Sequence, residues 1–161
     1  MAATGADEVR ALEATAGLAA RIVAELVGPG DVIGIAGGST LAAVVEAVPR
    51  RSDPTLKVIQ IAGSSSRLGP SVDPAAVSRQ LAERLGAAHR PLFAPATVDD
   101  AAVRAALVRR PDIAATIATL DELSTALVGI GTLADRAAAA AVLEAPGAEA
   151  VLGAPQPERD R

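Results

Sequence analysis

The stretch from Asp31 to Val48, DVIGIAGGSTLAAVVEAV, decides how the rest of the chain is read. Its opening, VIGIA at 32–36, is an unbroken apolar run rich in β-branched residues. Such a run predicts a strand buried on both faces, as in a parallel sheet. Gly37-Gly38-Ser39-Thr40 then breaks the run, and Thr40 to Val48 reads as an apolar helix. A buried strand that empties into a glycine turn and a helix implies an α/β fold, in which such junctions carry ligands.

Working outward, the same alternation repeats. Residues 6–27 place Val9, Leu12, Ala16, Leu18, Ile22, Val23 and Leu26 at roughly helical spacing. GPGD at 28–31 ends that helix. LKVIQIAG at 56–63 is a second buried strand, followed by the hydroxyl-rich SSSRLG. Residues 74–87 begin with Pro and read as an amphipathic helix closed by Gly86. RPLFAPA at 90–96 is expected as a short extended piece. Two helices follow, the first opening on Asp99 and Asp100, where carboxylates suit the helix dipole. STALVGIG at 124–131 is expected as a third buried strand, with TLADRAAAAAVLEA helical after it. Strands alternating with helices predict a parallel sheet wrapped by helices, in one domain without internal repeats.

Composition excludes several function classes. Half of the 161 residues are apolar and the mean hydropathy is +0.35, so a packed core is expected rather than disorder. The apolar runs are broken well short of membrane-spanning length, and the first ten residues lack a signal-peptide pattern. A cytoplasmic protein without a membrane partner is expected. The net charge of −4 disfavours direct binding to nucleic acid, which needs a basic face. Phe93 is the single aromatic residue, so neither bases nor sugar rings can be stacked on a platform. There is no Cys, which removes disulfides and thiolate chemistry. A small ligand would have to be held by backbone amides, hydroxyls and charges.

Three strands end alike, in GIAGGST, QIAGSSSRLG and GIGTLADR. In a parallel sheet these loops converge on one edge, the edge at which ligands bind. Glycines let the chain turn tightly and let a ligand approach the backbone. The helix after Gly38 aims its free N–H groups at the same space, so an anion is the natural guest. The turn read by itself fits equally a strand-to-helix junction with an ordinary cap. It is not a P-loop, because no Gly-Lys-Ser/Thr follows. No acidic residue ends the second strand, which weakens a dinucleotide site. Arg67 offers a planar fork for phosphate, or belongs to a solvated Ser-rich loop. Asp135 could accept from a sugar hydroxyl, or stand exposed in a first helical turn. His89, the single histidine, is expected to be exposed and structural in a loop. No triad, metal-ligand cluster or acid/base pair is legible, so neither a catalytic residue nor a cofactor is assigned.

The order of these motifs resembles the SorC/DeoR-type sugar-binding domain of bacterial transcriptional regulators. The resemblance runs from about Asp31 to Gly131 and rests on IAGGST, VIQIAGS, LFAPA, the RAALVRRPDI segment and VGIG. It implies a Rossmann-like three-layer sandwich of the sugar-phosphate isomerase/deaminase type. It also implies an effector-sensing domain that binds a phosphorylated sugar, usually within a homo-oligomer. The positions that match the family's pocket are Gly37, Gly38, Ser39 and Thr40, then Gly63 and Ser64, then Gly129, Gly131 and Thr132, with Arg67 added from the loop reading. In the family, DNA is contacted through an N-terminal helix-turn-helix, which is expected to be absent from this chain. The family domain also continues past VGIG with further strands and a Lys-containing motif. The chain is therefore expected to be a partial domain over 1–153, truncated at both ends, with a frayed polar tail at 154–161. Two other readings stay open: a sugar-phosphate isomerase- or deaminase-like enzyme, and an oligomerisation remnant that binds nothing.

Overall fold

The first described element, α1 (Gly5–Leu26), opens with Asp7 and Glu8, whose charges suit the positive end of a helix dipole. The computed structural model describes residues 5–65 and 69–130. The architecture is that of the unit 1–129; the second unit, from Ile130 on, lies but for that residue outside the described residues. The periodicity expected for α1 resolves into two apolar faces. Ala16, Ala20 and Val23 are buried, whereas Leu18, Ile22 and Leu26 stay exposed.

β1 (Val32–Ile35) is buried at every residue, as its β-branched run predicts. α2 (Ser39–Ala47) follows, then β2 (Lys57–Gln60) and α3 (Pro74–Leu85). α3 is closed at both ends as its sequence suggests. Asp73 caps its first turn by accepting from the amide of Ala75 at 2.9 Å, and Pro74 is its first residue. Gly86 takes the left-handed conformation (φ 63°) and donates to the carbonyl of Ala82. β3 (Ala88–Arg90), α4 (Ala101–Val108), α5 (Pro111–Ala118), a 3-10 turn at Thr119–Glu122 and β4 (Thr125–Leu127) complete the order. Asp100 caps α4 by accepting from the amide of Ala102.

The four strands form one parallel sheet in the order β3-β2-β1-β4. Side chains alternate across it. Ile33, Ile35 and Val58 join Ala20, Val23, Val44, Val45, Val77 and Leu81 in the main core, beneath α1, α2 and α3. Residues one position on point to the other face, where Ile59 and Ile113 of α5 are buried. Helices thus cover both faces, which is the expected three-layer arrangement. The buried apolar set of the main core is what holds it, at roughly 1.5–3 kcal/mol for each large side chain removed from water.

Two strands differ from expectation. The short strand expected at 90–96 lies earlier, at Ala88–Arg90, with exposed Ala88 and Arg90. It is an edge strand, so half of its surface faces solvent and its polar residues carry no strand-like pattern. β4 is not buried on both faces; Thr125 and Leu127 are half-buried and Ala126 is exposed. It pairs with β1 on one side alone among the described residues, so burial does not enclose it.

The candidate functional site at the strand ends

Ile35, the last residue of β1, is level with Gln60 of β2 and Leu127 of β4. The Ala36 amide donates to the Leu127 carbonyl and the Ile61 amide to the Ile35 carbonyl, both at 3.1 Å. Three loops therefore leave one edge of the sheet side by side. β1 connects outward to β2, while β4 comes in on its other flank. The strand order reverses between β1 and β4, the position outside whose carboxyl ends open α/β sheets bind ligands.

The glycines of the β1 loop are fixed by the protein's own packing. Gly38 has φ 119° and ψ 160°, a conformation that side chains rarely allow. Its amide donates to the Val72 carbonyl at 2.8 Å. A Cβ on Gly37 would lie 2.7 Å from the Val72 oxygen and from Pro74. The turn is thus pressed against residues 72–74, and that contact excludes any larger residue. Ser39 and Thr40 come next, exposed, at the start of α2. Gly38 is the N-cap and makes no side-chain cap bond, and the first turn holds no acidic residue. The leading amides of α2 take no side-chain cap, and the two hydroxyls beside them are on exposed residues.

The β2 loop is more committed. The Ser64 hydroxyl donates to Asp73 Oδ1 at 2.8 Å, and the Ser65 amide reaches Asp73 Oδ2 at 3.3 Å. Asp73 therefore caps α3 and holds the β2 loop with the same carboxylate. Gly63 lies under the segment after β3: Ser64 bridges to Pro95, with Ser64 N–H donating to Ala94 at 3.0 Å and Ala96 N–H to Ser64 at 2.9 Å. Gln60, 1% exposed, completes this junction by accepting from the Leu92 amide at 3.1 Å and donating to the Ala62 carbonyl at 2.8 Å. Asp73 and Gln60 were not singled out as site-shaping residues in the sequence. The Asp-Pro pair before an apolar helical run is an N-cap signature and pointed to Asp73; a lone polar residue in a buried strand gave no sign of its partners. A cavity of about 420 Å³ lined by Gln60, Ser64, Ala75, Phe93 and Pro95 lies over this end of β2.

Gly129 lies just beyond β4, exposed, with open space where a side chain would stand. The described site residues are thus distributed over three adjacent strand ends. Arg67, Gly131, Thr132 and Asp135 lie outside the described residues. Among the described residues no group of His, Asp and Glu could hold a metal ion, and no helix is long and apolar enough to cross a membrane.

His89 departs from the expected exposed loop position. It sits on β3, half-buried, with Nε2 3.0 Å from the Ser78 hydroxyl. Ser78 is fully buried, and its hydroxyl lies within hydrogen-bond distance of both the ring and the Ala75 carbonyl, the latter at 3.2 Å. Burial holds the His89 pKa below its ordinary value, helped by Arg79 and opposed by Glu83. The ring is remote in role from the strand ends: it ties β3 to α3.

A parallel sheet with this order, and an open anion-friendly turn at its reversal point, defines a small-ligand-binding α/β domain. The chain belongs to the family described as "Putative sugar-binding domain", which matches residues 1–145. Among solved structures it is similar to the full-length sorbitol operon regulator SorC from Klebsiella pneumoniae. That match has 30% identity and a TM-score of 0.74, covering 77% of this chain and 42% of that one. A probable sor operon regulator from Shigella flexneri is 26% identical, with a TM-score of 0.76 over 83% of this chain and 55% of that one. A transcriptional regulator from Streptococcus pneumoniae shares the fold at 14% identity, with a TM-score of 0.79 over 89% of this chain and 55% of that one. The chain spans about half the length of these structures. No curated protein matches it.

Proposed function

We propose that this chain is an effector-sensing domain that binds a phosphorylated sugar at the strand ends, its phosphate seated on Ser39, Thr40 and the leading amides of α2. The carrying observation is the start of α2: exposed hydroxyls, uncapped amides and no acidic residue, at the point where the strand order reverses. A dianion there meets the positive end of the helix. Gly37 and Gly38 give the turn its shape, and Gly63, Ser64, Gly129, Gly131, Thr132 and Arg67 complete the pocket in this reading. The net charge of −4 fits a sensing role, with DNA contacted by another segment of the regulator. The similarity to transcriptional regulators supports sensing over turnover. The test is thermal melting of the full chain with ribose phosphate, glucosamine phosphate and inorganic phosphate. Ligand at 100 times Kd adds about 2.7 kcal/mol, a shift of several degrees. Thr40→Val removes most of that shift. No shift with any phosphosugar refutes the reading, and conversion of either sugar phosphate replaces it with an enzyme.

A further inference from the structure

A cavity of about 380 Å³ lies on the face of the sheet that α5 covers, away from the main core. Its floor is built by strand register. Lys57 and Ile59 of β2 stand level with Ala88 and Arg90 of β3, so all four side chains leave the sheet on one side. α5 supplies the facing wall with Asp112, Ala115 and Thr116, and Phe93, 70% exposed, lines the cavity as well.

The polar groups around this cavity are unevenly committed. The Thr116 hydroxyl donates to the Pro91 carbonyl at 2.9 Å, and the Thr119 hydroxyl to the Thr116 carbonyl at 2.6 Å. Both Asp112 oxygens accept from Arg110, Oδ1 from Nε and Oδ2 from Nη2, each at 3.2 Å. Lys57 pairs with Glu122 at 3.3 Å. Arg90 makes no ion pair and no side-chain hydrogen bond among the described residues. The two pairs cancel, which leaves one uncompensated cation, a guanidinium, beside the apolar surface of Ile59, Ala115 and Phe93. A planar fork of free donors next to apolar walls, in a cavity at the small end of the ligand-binding range, matches a carboxylate that carries an apolar body. We propose that this cavity binds a small monocarboxylate of that kind, its carboxylate on Arg90 and its body between β2 and α5. It is a second site, separate from the start of α2, because α2 packs on the opposite face of the sheet.

Hexanoate is the probe and Phe93 the reporter: with no Trp or Tyr in the chain, the Phe93 ring protons share the aromatic region of the spectrum with His89 alone. Titration of the full 161-residue chain, followed by NMR, should shift the Phe93 ring and the Arg90 amide together, with a Kd on the order of 1 mM. Hexanol, which has the body without the charge, should bind at least about tenfold more weakly, and Arg90→Gln should weaken hexanoate binding as much. Ala115→Leu adds bulk to the α5 wall, leaves every charge in place and should abolish binding. Thr40→Val should leave it unchanged, so this site stands or falls apart from the phosphosugar reading. Circular dichroism and melting curves establish that each variant is folded. No shift up to about 20 mM hexanoate overturns the proposal. So does binding that survives Arg90→Gln or Ala115→Leu, or hexanol that binds as well as hexanoate. Inorganic phosphate that shifts Arg90 at the same concentrations overturns the carboxylate class, since it has no apolar body. Loss of hexanoate binding in Thr40→Val places the carboxylate at the start of α2 and overturns the second site.

Discussion

Gly63→Ala separates what the β2 loop does for the fold from what it offers a ligand. An added methyl at Gly63 would stand 2.3 Å from the Pro95 oxygen, 2.5 Å from its carbonyl carbon and 2.7 Å from the Ala96 nitrogen. All three neighbours are backbone, so no side chain can swing aside. The segment 94–96 must lift away, and the bridge between Ser64 and Pro95 goes with it, together with its hydrogen bonds at 3.0 and 2.9 Å. Two backbone bonds at about 1 kcal/mol each, plus strain in the displaced segment, give a loss of roughly 2–4 kcal/mol. Urea unfolding followed by circular dichroism reads this directly. With a slope of about 2 kcal/mol per molar, the midpoint falls by about 1–2 M. Gly69→Ala is the matched control, because an added Cβ there meets nothing within 4 Å; its stability should stay within about 0.5 kcal/mol of the parent. Hydrogen exchange at the Ser64 and Ala96 amides should accelerate in Gly63→Ala alone. An unchanged midpoint, or equal losses in both variants, refutes the close approach as the reason for glycine at 63.

Gly17→Ala, in the interior of α1 with open space at its Cβ, should raise stability by about 1 kcal/mol, measured in the same urea titration. For His89, a folded pKa held below 6.5 means that the unfolded chain takes up its proton first as pH falls. This contribution to stability is complete above the unfolded value and declines as pH drops from there towards the folded pKa. Melting temperatures between about pH 7.5 and 5.5 should fall more steeply for the parent than for His89→Gln, and parallel curves would reject the buried ring as their cause. Asp31 and Asp112 also have lowered pKa values, the first through the Gly28 amide and the second through Arg110, so their contributions are complete above the ordinary carboxylate range and are lost as pH falls through it.

The interior was the legible part of this chain. VIGIA announces itself because a strand buried on both faces is apolar at every position, LKVIQI does so through its Val58-Ile59 centre, and Pro74 and Gly86 mark a helix through rules that need no tertiary context. The edges were less legible for the converse reason. Ala88–Arg90 is a strand because β2 offers it partners in register, not because its residues demand one. The two faces of α1 could not be told apart by periodicity, since Leu18 and Val23 carry the same apolar signal until α2 takes one side. His89 likewise depended on where β3 would start, a shift of a few residues that moved its ring onto α3.

The loops show why hydroxyls and glycines in a motif do not share one role. Gly37 is required by residues 72–74 and Gly38 by its own φ of 119°, whether or not a ligand is present, and Gly63 is required by residues 94–96. Ser64 gives its hydroxyl to Asp73, and a ligand that claimed it would have to leave that carboxylate short of a donor. Ser39 and Thr40 stand under no such obligation. The glycines and Ser64 therefore set where the strand ends meet, and binding energy is open to the start of α2. This division predicts different failures: substitutions at Gly37, Gly38 and Gly63 lower stability with or without ligand, whereas Thr40→Val leaves the unliganded melting temperature near that of the parent and removes the response to phosphosugar. If Thr40→Val destabilises the free chain as much as Gly63→Ala does, the two roles are not separable and the phosphate seat at α2 is misassigned.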